Sequence, residues 1–273
     1  MRVNRRLGLL LPLALLLAAS QVARAQDRGL ARAFLADAPA ETLSALSGAE
    51  RGPAARTALE KVLAGGRIDR KLLGAAVKNP YFAPYLVDTL IDLETVQHVP
   101  GVDRVLQRIG DAHDDAGPRG ASFEISVGAR FGARLAELSA DVEGHEVDAR
   151  LTDGTLVEVK YVAGRRSGPL VRKATEQLAL RGLGTRPVML VINRELDATQ
   201  LRNLHAKLGG NASVMQASRT GLLRAQKLGP TPTWKPRPGA IVPRVVPNAR
   251  NANVRLPSPR QLQPRQRSAT GAP

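Results

Sequence analysis

The stretch HEVDARLTDGTLVEVKYV, residues 145–162, decides the fold. Its second half alternates with period two, which is typical of a β-strand and not of a helix. One face of this predicted strand carries Leu156, Glu158, Lys160 and Val162. An acid and a base, Glu158 and Lys160, therefore point the same way from neighbouring positions on that face.

A tight connection, Thr-Asp-Gly at residues 152–154, joins this strand to an alternating segment at residues 146–151. A two-residue turn would set Asp148 opposite Val159, on the wrong face. A three-residue loop, with Gly154 in the left-handed region and a bulge, would set Asp148 opposite Glu158 with the Cβ atoms ~5 Å apart. We predict the three-residue loop.

In that register two carboxylates and an ammonium group meet on one patch. Carboxylates so close repel each other, and a hard divalent cation such as Mg²⁺ or Mn²⁺ is the usual means of keeping both ionised. Lys160 would then lie beside the metal-bound water. There it could orient that nucleophile or offset the charge that builds on phosphorus as a P–O bond is attacked.

Asp148, nine intervening residues and then Glu158-Val159-Lys160 resemble the motif of the PD-(D/E)xK nuclease superfamily, which has the restriction-endonuclease-like fold. The motif departs from its name at one place, since Val147 stands where the name has Pro, but many members lack that Pro. The resemblance implies that Asp148 and Glu158 are metal ligands and that Lys160 is the catalytic lysine. It also implies that Glu124, on an upstream helix, is a further metal ligand and that Gln177, on the following helix, is a catalytic contact.

The rest of this region predicts an α/β fold with a mixed central sheet of four or five strands flanked by helices. A helix is predicted over residues 120–139, with Glu124 next to its apolar stripe, and another over residues 170–183. The apolar run PVMLVI at residues 187–192 indicates a strand buried on both faces. A helix at residues 196–208 and an edge strand at residues 212–216 complete the sheet and its layers.

Four regions are expected along the chain. Residues 1–25 have the basic start, apolar run and Ala-Arg-Ala ending of a secretory signal peptide cleaved after Ala25, so we expect a secreted or periplasmic protein without stable membrane insertion. Residues 26–118 form a small all-helical module, in which the sequence shows no chemistry. Residues 119–224 form the nuclease-like domain. Residues 225–273, rich in Pro and Arg, form a disordered basic tail.

The charge of the chain is strongly basic, with a formal net charge of +16. Nine of its Lys and Arg residues lie beyond residue 224, where there is no acid, so the charge is mostly a property of the tail. Within the predicted domain, four basic residues follow the proposed metal site, where a phosphodiester backbone would pass. These predicted nucleic-acid contacts are Arg165, Arg166, Arg172 and Lys173.

These patterns lead to the hypothesis of an exported, metal-dependent nuclease that hydrolyses phosphodiester bonds, with DNA as the preferred substrate. The resemblance extends to restriction-endonuclease-fold toxin domains of bacterial competition systems, which implies a secreted toxin with an immunity protein as partner. The alternative is a noncatalytic envelope protein that retains a nuclease-like fold and binds polyanions. Loss of metal dependence together with retained polyanion binding would favour that alternative.

Overall fold

Six helices precede a sheet in the computed structural model, which describes residues 29–164, 168–180, 186–208, 212–217 and 223–226. After a helical turn at residues 29–34, these helices are α1 (Ala40–Gly48), α2 (Gly52–Gly65), α3 (Arg70–Lys78), α4 (Leu86–Val96), α5 (Val102–Gly110) and α6 (Ala116–Phe131). Short 3₁₀ turns occupy Pro80–Phe82 and Gly132–Arg134. All the described residues belong to one compact unit.

The sheet has six strands in sequential order, and two helices connect its parallel members. The strands are β1 (Leu135–Val142), β2 (His145–Leu151), β3 (Leu156–Lys160), β4 (Val188–Ile192), β5 (Ala212–Ala217) and β6 (Leu223–Ala225). Helix α7 (Gly168–Leu180) links β3 to β4, and α8 (Ala198–Leu208) links β4 to β5. Strands β3, β4 and β5 are parallel, while β1–β2, β2–β3 and β5–β6 are antiparallel pairs. The predicted α/β class with a mixed sheet is confirmed.

The hairpin between β2 and β3 has the predicted register. Ala149 pairs with Val157, and Leu151 and Thr155 close the loop through a hydrogen bond of 2.9 Å from the Leu151 N–H to the Thr155 carbonyl. Gly154 has φ +83°, the left-handed conformation that the three-residue loop requires. One step further along this register, Asp148 lies beside Glu158.

Strand β1 corrects two predictions, the helix over residues 120–139 and the sheet of four or five strands. The helix ends at Phe131, and a strand begins at Leu135. The pairing of β1 with β2 shifts by one residue between Leu135 and Glu137, so Leu135 and Leu138 both face the core although they are three residues apart. A bulged strand thus reproduces the three-residue spacing of a helix.

A third correction concerns the strand at residues 212–216, for which the sequence predicts a place at the edge of the sheet. Strand β6 pairs on its outer side, with Gln216 opposite Arg224. Its three residues are too few for a readable alternation. The backbone N–H of Gln226, just beyond β6, donates to the Val214 carbonyl at 2.8 Å. The predicted tail beyond residue 226 and the predicted signal peptide lie outside the described residues.

Two apolar clusters lie on the two faces of the sheet. One packs the helices before the sheet against residues such as Val157 and Val159, and the other packs α7 and α8 against residues such as Leu156 and Leu190. Helices therefore cover both faces, and β4 is central as its apolar run predicted. The helices before residue 118 share their core with the sheet, while the division of the chain there stays a sequence-based prediction.

The helical region is also joined to the edge of the sheet. The Leu138 N–H donates to the Pro100 carbonyl at 2.9 Å, so the loop before α5 occupies part of the free edge of β1. This contact brings α5 beside β1, the neighbour of β2 in the sheet. None of the helices in the described ranges is long and apolar enough to cross a membrane.

Candidate active site

Three of the predicted site residues meet where β2 and β3 stop pairing. The Lys160 Nζ lies 2.6 Å from Glu158 Oε1 and 3.7 Å from Asp148 Oδ2. Glu158 is buried, and the side chains of Asp148 and Lys160 are 14% and 21% exposed. The structure thus brings this acid pair and the lysine together, as the hairpin register predicts, while their catalytic roles stay predictions.

Asp148 is held by the backbone of the next strand. On the side away from the loop, the last backbone pair of the hairpin joins Ala149 to Val157. Beyond it the Val159 N–H donates to Asp148 Oδ2 at 2.6 Å, so the side chain takes the place of a backbone partner.

Lys160 is a cation in this environment. Burial alone would lower its pKa, but the charges of Asp148 and Glu158, together with the hydrogen bond to Glu158 and the charge of Glu124, outweigh burial and raise the pKa above its ordinary value. The ammonium group therefore neutralises part of the negative charge of the two carboxylates.

Glu124 lies on α6, is buried, and is close enough to Asp148 and Lys160 for their charges to act on its pKa. Burial, reinforced by the negative charge of Asp148, raises the pKa of Glu124 to about 8, although Arg108 and Lys160 act in the opposite direction. Both Glu124 oxygens are engaged by the Arg108 guanidinium, Oε1 by Nη1 at 3.1 Å and Oε2 by Nη2. Glu124 thus joins the site, but as the partner of an arginine.

Arg108, on α5, is the residue that the sequence analysis missed. Its Nη2 also donates to Ser139 Oγ at 2.9 Å, and its Nε lies 4.0 Å from Glu146 Oε1. Burial alone would lower its pKa, but the charge and hydrogen bonds of Glu124, with the charges of Asp148 and Glu146, raise it. No spacing in the sequence indicates this role, because the partners lie 16 and 31 residues away.

The donor set fits a hard cation through two carboxylates. Mg²⁺ is usually bound by one or two carboxylates, several waters and the phosphates of a substrate. Asp148 and Glu158 provide such a pair, whereas both oxygens of Glu124 are already hydrogen-bonded to Arg108. In the ranges that the structure describes, no group of three or more His, Asp or Glu side chains is arranged to hold a metal ion.

The remaining predicted site residues have no described contact with Asp148, Glu158 or Lys160. Gln177 lies on α7, and its Oε1 is buried without a hydrogen-bond partner among the described residues. Arg172 and Lys173 are exposed on the same helix, and Arg172 Nε lies 3.9 Å from Glu176 Oε1. The structure therefore leaves both basic residues accessible to solvent. The predicted contacts Arg165 and Arg166 lie outside the described residues.

An open cleft of about 700 Å³ adjoins the site. Arg104, Arg108 and Glu146 are part of its lining, together with residues 111–114. Arg108 therefore borders this cleft on one side and contacts Glu124 on the other.

Comparison of the chain with protein-family models, with curated proteins and with solved structures gave no match. The site geometry and the sequence motif are therefore the basis of the functional proposal below.

Proposed function

We propose that this protein is a metal-dependent nuclease of the PD-(D/E)xK type. The observation that carries the proposal is the contact of one lysine, Lys160, with two carboxylates, Asp148 and Glu158, at the open end of a hairpin. The order of elements supports it as well. A helix bearing Glu124 precedes an antiparallel β1–β2–β3 unit, and a helix then leads to β4, which is parallel to β3. This order agrees with the restriction-endonuclease-like resemblance.

In the proposed reaction, Asp148 and Glu158 would hold Mg²⁺ or Mn²⁺ through carboxylate oxygens. A divalent cation in such a site lowers the pKa of bound water and polarises a phosphoryl oxygen. Lys160 remains beside both carboxylates and offsets the charge that develops on the phosphoryl group as it is attacked. The Val159 N–H keeps Asp148 at a fixed position relative to Lys160, so this geometry exists before substrate binds.

The substrate class follows from charge and placement. Exposed Arg172 and Lys173 on α7, the helix that follows β3, suit contacts with a phosphodiester backbone. We propose DNA as the substrate, with RNA as the alternative arm of the test. Export through residues 1–25, a role as a secreted toxin and an immunity protein as partner are further parts of the proposal, and they are supported by sequence alone.

A second candidate function is noncatalytic polyanion binding on a nuclease-like scaffold. It is favoured by the ion pairs of Lys160 with Glu158 and Asp148, because the ammonium group already offsets part of the charge of these carboxylates. In that case the basic residues would bind polyanions while the cluster only stabilises the fold.

The test incubates purified residues 26–273 with plasmid DNA and with structured RNA, in Mg²⁺, Mn²⁺ or EDTA. The proposal predicts cleavage that requires the metal and that Asp148→Ala and Lys160→Ala proteins of matched folding lose. The nucleic acid that disappears identifies the substrate. Polyanion binding without cleavage in any metal would support the noncatalytic function instead.

A further inference from the structure

Two arginines of α5 hold one residue of β1. Arg104 Nη1 donates to the Ser139 carbonyl at 2.5 Å, and Arg108 Nη2 donates to Ser139 Oγ at 2.9 Å. The two arginines are four residues apart, so they project from the same side of the helix. Ser139 is fully buried, and no other element supplies it with a described side-chain partner. We call these three residues the serine clamp.

Ser139 needs this support because its backbone is strained. Its φ is +44°, a conformation that a non-glycine residue adopts at an energetic cost. Such residues persist only where the surroundings fix them. Two arginines converging on one buried residue provide that constraint here.

The clamped residue lies directly across from Asp148. In the β1–β2 ladder, Leu138 pairs with Ala149 and Ala140 pairs with Val147, which places Ser139 opposite Asp148. Asp148 is thus fixed from both sides: its carboxylate accepts from the Val159 N–H on β3, and its backbone faces the clamped residue of β1. The position of the carboxylate therefore depends on α5.

Glu124 completes the arrangement. Its two oxygens accept from Nη1 and Nη2 of Arg108, the bidentate geometry in which a carboxylate holds a guanidinium group in one orientation. A carboxylate used in this way has few lone pairs left for a metal ion. Its contacts with both Nη atoms instead aim Arg108 at Ser139.

We propose that Glu124 holds Arg108 and does not ligate the metal ion, and that Arg104 and Arg108 are positioning residues that fix Ser139 and, through it, Asp148. The inference rests on the proposed function only in that the metal is expected at Asp148. It makes α5, from the region before residue 118, a part of the active site. Outer groups of this kind affect metal affinity or activity about 10–100-fold when they are lost.

The test compares variants of the chain from residue 26 onward by two measurements. Hydrogen–deuterium exchange of the metal-free protein reports on the backbone of residues 135–160, and calorimetric Mn²⁺ titration reports on the metal site. The variants are Glu124→Gln, Arg104→Met, Arg108→Met and Arg108→Lys, with Ser139→Ala to remove only the Oγ contact. The control, Arg56→Met, removes the same charge from α2, where Arg56 contacts Leu46 and Ser47.

Arg104→Met and Arg108→Met are expected to speed exchange at the Val159 amide and to weaken Mn²⁺ binding about 10–100-fold. Ser139→Ala is expected to change exchange and Mn²⁺ affinity in the same direction but by less. Arg108→Lys is expected to give values between those of wild type and Arg108→Met, because lysine keeps the charge but not the bidentate geometry of the guanidinium group. Glu124→Gln keeps only one of the two oxygens that accept from Arg108, so it is expected to speed exchange at the Val159 amide and to weaken Mn²⁺ binding together, both by less than Arg108→Met does. Arg56→Met behaves as wild type.

Two results would overturn the inference. Weaker Mn²⁺ binding by Glu124→Gln, with unchanged exchange, would make Glu124 a metal ligand. Unchanged exchange and unchanged affinity in both methionine variants would remove the serine clamp from the site. A wild-type protein that binds no Mn²⁺ contradicts the proposed function instead, and the exchange data, taken without metal, then still decide whether α5 positions Asp148.

Discussion

The carboxylate of Asp148 accepts a hydrogen bond from the backbone N–H of Val159, 2.6 Å away on the neighbouring strand. Beyond the last backbone pair of β2 and β3, the Asp148 side chain thereby takes the place of a backbone hydrogen-bond acceptor. The backbone pairing of the two strands ends where the acids and Lys160 are located. The same hydrogen bond fixes one acid relative to the β3 residues on either side of Val159, Glu158 and Lys160.

Replacing Lys160 with Met is expected to destabilise the metal-free protein. Glu158 would stay buried and charged beside Asp148 without its cation, and loss of one partner of a buried ion pair costs about 3–5 kcal/mol. Mn²⁺ should restore part of this loss, because a bound cation stabilises the folded state. Chemical unfolding with EDTA and with Mn²⁺ measures both effects. Lys173→Met, at an exposed site, serves as control. An unchanged free energy of unfolding in Lys160→Met would contradict the ion-pair geometry.

The pH dependence of stability should report on Glu124. Burial and then Asp148 raise its pKa from 4.5 to about 8 in the folded protein. Between these values the unfolded chain releases the proton first, so ionisation favours unfolding and the stability contributed by this group is lost as the pH rises toward 8. Glu124→Gln lacks this loss. The free energy of unfolding of the variant relative to wild type, measured in EDTA, should therefore increase from pH 5 to pH 8 and level off above it. A flat or falling difference would contradict the raised pKa.

Gly101→Ala is expected to separate the helical region from the sheet edge. Gly101 has φ +86°, and a Cβ there would lie 1.7 Å from the Leu138 carbonyl oxygen. The loop would have to move, and the hydrogen bond from the Leu138 N–H to the Pro100 carbonyl would be lost with it. We expect a loss of more than about 2 kcal/mol in the free energy of unfolding.

Gly66→Ala is the matched control for that substitution. Gly66 also has positive φ, at +59°, but nothing lies within 4 Å of its Cβ position, so only the backbone cost of about 1 kcal/mol applies. Equal losses in the two variants would show that the contact with Leu138 is unimportant.

The hairpin could be predicted from the sequence because its determinants are local. Period-two alternation assigns the faces, and the glycine of a three-residue loop sets the register, so Asp148 and Glu158 could be paired without any tertiary information. The central strand β4 was equally readable, since a short apolar run is typical of a strand buried on both faces.

Strand β1 and Arg108 could not be predicted, for two different reasons. The bulge near Leu135 gives the apolar residues of β1 a helical spacing, so the local pattern favours the wrong element. Arg108 acquires its role only through partners that are distant in sequence, Glu124 on α6 and Ser139 on β1. A basic residue on an amphipathic helix is ordinarily a solvated one, and only the packing of α5 against β1 changes that.

The most direct test of the central claim is cleavage of a fluorescently labelled DNA duplex by Glu158→Gln in Mn²⁺, beside wild type and Glu176→Gln. Glu176 is an exposed acid on α7, so its substitution removes the same charge away from the cluster. We predict that wild type and Glu176→Gln cut at equal rates, that EDTA stops both, and that Glu158→Gln is slower by at least about a hundredfold. Equal cleavage by the folded Glu158→Gln protein would contradict the claim that this hairpin is a nuclease active site.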